Sequence, residues 1–307
     1  MKYPKKLSAN ATVGIVCPSS AITEEKKEKC REVLESMGFR VKMADNLTTP
    51  YAGYMAGEGD IRAQWVNAMF ADPEVDVVLC ARGGDGSSRI MEYLDLDMIR
   101  ANPKIFIGYS DITNLHIAFN QQCDFVTFHG PMASSNIVDH FDEESRQSLL
   151  QALTAEESYE FQNPKGFEIC VGKKGQASGI LAGGNLTLVS DSIGTPYEID
   201  TAGKILFFEE VGGNTSHVER DVYHLRNSGK LAQCAGIILG QFTNCVNPWE
   251  PSYTEVDCFL DALKGLDIPL LYNVQSGHDF PMMTLPMGAH CTIDTEQRSI
   301  SFAAPQR

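Results

Sequence analysis

Between residues 11 and 130 the chain switches repeatedly between two hydrophobic periods, and this alternation limits the folds open to it more than any other feature. The apolar runs TVGIVCP, RVKMAD, DVVLCA, KIFIGYS and FVTFHGP are separated by segments with helical spacing over Glu24 to Met37, Asp60 to Phe70, Ser87 to Tyr93 and Asp111 to Gln122. Strand, helix, strand at this spacing predicts a parallel sheet with helices on both faces. The expected class is therefore α/β, beginning with a parallel-sheet domain of flavodoxin- or Rossmann-like type. Ligands of such sheets collect at the carboxyl ends of the strands, here occupied by CPSS, ARGGDGSS, GYSD and FHGPM.

The rhythm is lost around residues 156–178, where Gly, Pro, Lys and Glu gather. This places an N-terminal domain at 1–160, a crossover at 161–174 and a C-terminal domain at 175–307. The second half resumes with KILFFEEV, AGIILGQF and PLLYNV, with helices expected near 216–228 and 253–263, and closes on a hairpin in HCTIDTEQRSISFA. It reads as a smaller, mixed α/β domain.

Charge narrows the function. With 25 Lys and Arg against 40 Asp and Glu, the net charge of −15 argues against a nucleic-acid partner and against an anionic membrane surface. The apolar run Ala11 to Cys17 is too short for a signal peptide and is better explained as a strand, and no stretch approaches a membrane span. Nine cysteines without a Cys-x-x-Cys pair read as reduced thiols in a cytoplasm, with neither metal nor cofactor expected.

A candidate nucleophile lies in FIGYSDITNLHIAF, where an apolar strand runs into an amphipathic helix through Gly108, Tyr109, Ser110 and Asp111. A sharp strand-to-helix turn lifts a serine hydroxyl clear of the sheet and leaves helix N–H groups aimed at a reacting carbonyl. The stretch has the first glycine of a Gly-x-Ser-x-Gly elbow and Ile112 in place of the second. The competing reading is that Ser110 caps the helix.

A base and an acid have to be sought elsewhere. Of the seven histidines, His116 is turned away by its helical spacing, His217 and His224 share one helix, His140 is in a polar stretch and His290 is in the final hairpin. His129 ends a strand and is a candidate for a supporting or substrate role. His278, after Gly277 and in a loop held by Pro281 and Pro286, is the best-presented candidate. The strand KILFFEEV ends in adjacent carboxylates, and alternation puts Glu209 and Glu210 on opposite faces, so only one serves a given site. The glycines of ARGGDGSS lack the spacing of a phosphate loop, but at a strand end they allow backbone N–H groups to approach a carbonyl, with Arg82 and Arg89 available for a substrate carboxylate.

The pieces FADPEVDVVLCARGGDGSSRIMEYLD, FIGYSDITNLHIAF, HGPM, LAGGNLTLVSDSIGTPY, KILFFEEVGG, ERDVYHLRNSG, GIILGQF and GHDFPMMTLPMG together resemble the serine L,D-carboxypeptidases, the muramoyltetrapeptide carboxypeptidase family. The resemblance covers nearly the whole chain. It implies a cytoplasmic, metal-free and usually dimeric peptidase of murein recycling, acting on a murein peptide. Residue by residue it puts the nucleophile at Ser110, the acid at Glu209, the base at His278, and oxyanion-hole N–H groups at Gly84 and Asp111. Arg82, the arginine nearest the proposed oxyanion loop, and Asp85 are this sequence's candidates for holding substrate. Asp85 replaces a frequent aromatic, Met282 replaces Asn or Gln, and Gly213 to His217 departs from the usual aromatic-basic pattern, all of which bear on substrate preference. A relative within the family, the microcin C immunity peptidase, cleaves aminoacyl-nucleotide amides and supplies an alternative function. A non-catalytic small-molecule-binding α/β protein is the alternative from another class.

Overall fold

A computed structural model describes residues 1–307. The chain divides into two compact units, Met1–Ala155 with Thr284–Pro286 and Gln306–Arg307, and Glu156–Met283 with Met287–Pro305.

The first unit contains β1 (Thr12–Val16), α1 (Glu24–Ser36), β2 (Arg40–Met43), α2 (Gly59–Ala71), β3 (Val77–Cys80), α3 (Leu96–Ala101), β4 (Ile105–Gly108), α4 (Thr113–Cys123), β5 (Thr127–His129) and α5 (Glu143–Thr154). The second contains β6 (Tyr159–Glu160), β7 (Cys170–Lys173), β8 (Gln176–Asn185), α6 (Leu186–Ser192), β9 (Ile205–Val211), α7 (Thr215–Asn227), α8 (Lys230–Gln233), β10 (Gly236–Thr243), α9 (Glu255–Ala262) and β11 (Leu270–Tyr272). The chain closes through β12 (Leu285–Met287), β13 (His290–Asp294) and β14 (Ser299–Phe302).

In the first unit the sheet order is β12-β5-β4-β3-β1-β2, and β1 to β5 pair in parallel. The order 2-1-3-4-5 is the doubly wound arrangement of the flavodoxin-like class. Runs such as VVLC and IFIG are buried along their whole length, as strands covered on both faces require. On one face Phe106 meets Phe70 of α2 and Phe119 of α4, with ring centroids 6.1 and 5.0 Å away. Its neighbour Ile107 faces the other side, toward Leu34 of α1 and Leu149 of α5. Helix α1 starts where Thr23 Oγ1 accepts the Lys26 N–H at 3.2 Å, and Glu24 and Glu25 in its first turn complement the helix dipole.

The second unit is built on an eight-stranded sheet of order β6-β14-β13-β8-β9-β10-β11-β7. Its centre, β8-β9-β10-β11, is parallel, and its flanks are antiparallel, including the expected β13–β14 hairpin.

Three local expectations change. The segment 161–174 is not a plain crossover, because β7 pairs with β11 at one edge, and β6 just before it pairs with β14 at the other. β6 has 2 residues and β7, set among glycines and lysines, has 4, both too short to display a period. The loop containing Pro286 holds β12, which adds to the β5 edge of the first sheet, a place where proline is tolerated. Ser87–Tyr93 and Ser110–Ile112 are 3-10 turns, so α4 begins two residues later than its spacing implies.

No helix is long and apolar enough to cross a membrane. All nine cysteines are unpaired, and all but Cys170 are buried.

Phe70, Phe106, Phe119 and Phe125 form a buried aromatic cluster in the first core. Phe119 is 0 % exposed, and Phe119→Ala is expected to cost about 3–5 kcal/mol in urea unfolding. A loss under about 1 kcal/mol would mean that the cluster collapses around the gap.

Candidate active site

The turn after β4 holds a non-glycine residue at positive φ. Tyr109 is extended, and Ser110 is then held at a φ of +65° before the chain enters its 3-10 turn. A non-glycine residue in that region costs on the order of 1–3 kcal/mol and persists only where its surroundings enforce it. Ser110 does not cap α4: the N-cap position is Ile112, and no side chain caps it. The capping alternative therefore fails.

What enforces the turn is visible beneath it. His116 on α4 is buried, with Nε2 2.9 Å from the Gly108 carbonyl and Nδ1 2.8 Å from Thr127 Oγ1. Burial lowers its pKa to about 4. The ring is thus neutral at pH 7, donating from Nε2 to Gly108 and accepting the threonine hydroxyl at Nδ1. Ile112, fully buried, packs over Gly108 in the space its missing side chain leaves.

The glycine loop after β3 lies against the same turn. A Cβ on Gly83 would sit 2.9 Å from Ser110 Cβ, and Gly84 has a φ of +112°, closed against Ser20. Ser20 Oγ accepts the Asp85 N–H at 3.3 Å. Asp111, 4 % exposed, ties the loop to the serine turn: its Oδ2 accepts the Ser87 N–H at 2.8 Å, and the Ser87 hydroxyl donates to its carbonyl at 2.6 Å. Burial raises the Asp111 pKa against the opposing pull of hydrogen bonds from Ser19 and Ser87. Arg82, Asp85 and Arg89 are exposed.

Sequence reasoning passed over Arg62. It lies on the buried stripe of α2 with Val66, Met69 and Phe70 and is 1 % exposed. Its Nε donates to Gly57 O at 3.1 Å, and its Nη1 donates to Pro18 O and, at 2.8 Å, to Gly86 O. Burial lowers its pKa and the Asp111 charge works to restore it. A positive charge is thereby fixed behind the glycine loop. The available signal was an arginine at a core position of a helical stripe.

In the second unit, successive residues of β9 point to opposite faces, and the adjacent carboxylates have different partners. Glu209 is 0 % exposed and its Oε2 accepts from His278 Nδ1 at 2.6 Å; the imidazole is 15 % exposed. Glu210 is spent on structure: its Oε1 accepts from Asn185 Nδ2 and Val211 N at 2.9 and 2.8 Å, and its Oε2 accepts the N–H and hydroxyl of Thr187 at 2.9 and 2.8 Å. It fastens the start of α6 to the sheet.

Burial is the largest influence on both members of the Glu209–His278 pair. It raises the Glu209 pKa. It works against protonation of His278, but the Glu209 charge and hydrogen bond outweigh it, and the imidazole pKa ends above its ordinary 6.5.

Among the remaining histidines, His129 is buried, 5.8 Å from the Tyr109 ring and 6.4 Å from that of His116. His140, His217, His224 and His290 are exposed, with His224 Nδ1 3.0 Å from Ser190 Oγ.

A strained serine beside a glycine loop, and a carboxylate-bound imidazole, are components of acyl transfer. Residues 13–130 match the LD-carboxypeptidase N-terminal domain, and residues 178–293 match the C-terminal domain. The chain belongs to the LD-carboxypeptidase family. It is thus an enzyme of a serine peptidase family. It is 38% identical to the probable murein peptide carboxypeptidase of Bacillus subtilis, over 98% of this chain and 94% of that one. Identity to the murein tetrapeptide carboxypeptidase of Pseudomonas aeruginosa is 28%, with 92% of each chain covered. A solved structure of the microcin C7 self-immunity protein MccF superposes with a TM-score of 0.89 at 26% identity, covering 98% of each chain.

In this LD-carboxypeptidase the charge state of His278 is set by Glu209, and that is measurable without substrate. Titrated by histidine NMR, His278 is expected above the ordinary 6.5. Glu209→Gln removes the raising charge and leaves burial, so the pKa falls below that value. Because folding raises this pKa, the contribution of His278 protonation to stability is complete below the unfolded value, for as long as Glu209 stays ionised, and fades as pH rises through the folded one. An unchanged titration in the variant would show that Glu209 does not govern the ring.

Proposed function

We propose that the enzyme is a serine L,D-carboxypeptidase that releases the terminal D-alanine of a murein tetrapeptide by cutting the L-to-D amide. The observation that carries this reading is Ser110 held at positive φ where β4 meets α4, since strained nucleophile turns of this kind expose the hydroxyl at a strand end. In the proposed mechanism Ser110 Oγ attacks the amide carbonyl while Nε2 of His278 takes its proton and then delivers it to the departing amine. Glu209 keeps the Nδ1 proton in place and stabilises the imidazolium. The N–H groups of Gly84 and Asp111 receive the oxyanion, and the buried Arg62 charge behind the loop favours it further. Water then attacks the acyl-serine by the same proton path, releasing the shortened peptide and restoring Ser110.

Arg82 and Asp85, exposed on the glycine loop, are assigned to substrate. Arg82 offers a planar fork for the free D-amino-acid carboxylate in a chain of net charge −15. The buried thiols suit a reducing cytoplasm, and the family resemblance implies a homodimer without metal or cofactor. Greater identity to the murein peptide enzyme, 38% against 28% for MccF of Escherichia coli, favours peptide over nucleotide conjugate. The likeness to MccF keeps the second substrate class in view, since one solved MccF structure holds glutamyl sulfamoyl guanosine.

Product analysis with murein tripeptide, tetrapeptide and pentapeptide, beside an aminoacyl sulfamoyl nucleotide, tests the assignment. Release of D-alanine from tetrapeptide is expected, undisturbed by chelators and abolished in Ser110→Ala. Glu209→Gln should lose up to about 10⁴-fold in kcat with KM little changed, the loss seen when a triad acid is neutralised. Glu210→Gln should act chiefly on stability. Cleavage of the nucleotide conjugate alone would transfer the enzyme to the second class, and near-normal turnover by Ser110→Ala would remove the mechanism.

A further inference from the structure

His278 lies outside regular structure between β11 and β12, and a base in a loop works only if something fixes the loop. One residue of β10 does most of this. Gln241, 8 % exposed, donates its backbone N–H to Ser276 O at 2.9 Å, and its side-chain Oε1 accepts the Asp279 N–H at 2.9 Å. Its Nε2 donates to Gln275 Oε1 at 3.1 Å and to Pro281 O at 3.3 Å. Residues before and after the imidazole are thus bound to a single amide side chain and its own backbone. Gln275 is anchored in turn, its N–H donating to Asn163 Oδ1 at 2.9 Å and its Nε2 to Asn273 Oδ1 at 2.8 Å.

The placement of Gln241 is itself a deviation from regular sheet. Along β9 and β10, Leu239 is opposite Phe208, but Phe242 is opposite Glu210, so Gly240 and Gln241 share the single position opposite Glu209. A bulge of this kind re-aims side chains. It occurs at the carboxylate that binds His278. Gly240 completes the fit, since a Cβ there would collide with the Ser276 carbonyl and come within 2.7 Å of the Phe207 ring.

We propose that Gln241, delivered by the β10 bulge, is a positioning residue that holds the His278 loop where the imidazole reaches Glu209. The inference rests on His278 as the base of the proposed reaction and adds to it the group that places that base. Gln241 touches neither reacting atom and acts only through the loop.

The test combines histidine NMR titration of the full-length protein with tetrapeptide kinetics on Gln241→Leu and Gln241→Glu. In Gln241→Leu the side-chain bonds to the loop are lost, the imidazole loosens from Glu209 and its pKa drops toward that of Glu209→Gln. The accompanying fall in kcat is expected to be roughly 10- to 100-fold with KM little changed, the scale of a misplaced catalytic group. Gln241→Glu keeps the acceptor for Asp279 but loses the donors. It adds a negative charge to that of Glu209 on the ring and that of Glu210 acting from the opposite face of β9, so kcat falls while the His278 pKa rises. Opposite shifts with parallel losses are a pattern that mere destabilisation does not produce. Wild-type titration and kcat in Gln241→Leu would overturn the proposal. If that variant does not fold, wild-type kcat in Gln241→Glu would overturn it equally. Should the unmodified enzyme cleave no tested substrate, the titrations still decide the role of Gln241, so failure of the function and failure of this inference remain separate results.

Discussion

A carboxylate with no exposure to water at the end of an apolar strand has to be compensated locally, and much of the second unit is organised around that requirement at Glu209. The compensation is the short hydrogen bond from His278 Nδ1. Burial still holds the Glu209 pKa up, and the partner that opposes it comes from a loop that the sheet itself holds, through a bulge opposite the glutamate and an amide network centred on Gln241. The neighbouring Glu210 shows the contrast. It has the same side chain one residue later on the other face, but it is saturated by Asn185, Thr187 and its own strand and contributes structure.

In the first unit the stored quantity is backbone strain instead of buried charge. Ser110 occupies its unfavourable conformation because a neutral His116 pins the strand end, Ile112 fills the space over Gly108, and Asp111 locks the turn to the glycine loop. Arg62 secures the opposite side of that loop by holding Pro18 and Gly86. Fixing donors and charge before substrate arrives is what makes electrostatic stabilisation effective in acyl transfer, because no reorganisation is then required during reaction.

The parts legible in the sequence are those written in local periodicity. Alternating runs revealed β1 to β5 with α1, α2 and α4, though not α3, which follows the 3-10 turn expected as a helix over Ser87 to Tyr93, and the strand-to-helix joint singled out Ser110. Period-two alternation separated Glu209 from Glu210. Elements too short to show a period were missed, including β6, β7 and β12, as was the β10 bulge, which depends on pairing with a neighbouring strand. The Glu209–His278 contact spans 69 positions, so no local pattern announces it, and only the chain order of a triad and the family resemblance joined the two residues in advance. His116 and Arg62 escaped for a different reason. Each lies on a helix face that faces inward, where an apolar side chain is the usual occupant, and each is there because backbone carbonyls at the strand ends need a donor.

The central claim is that Ser110 is the nucleophile, and covalent capture tests it most directly. The enzyme is treated with a fluorophosphonate, its intact mass is measured and the modified peptide is mapped. A single adduct on Ser110, formed as activity is lost and slowed in Glu209→Gln, is the predicted result. Continued hydrolysis without an adduct, or an adduct on another residue with Ser110 unmodified, would contradict the account.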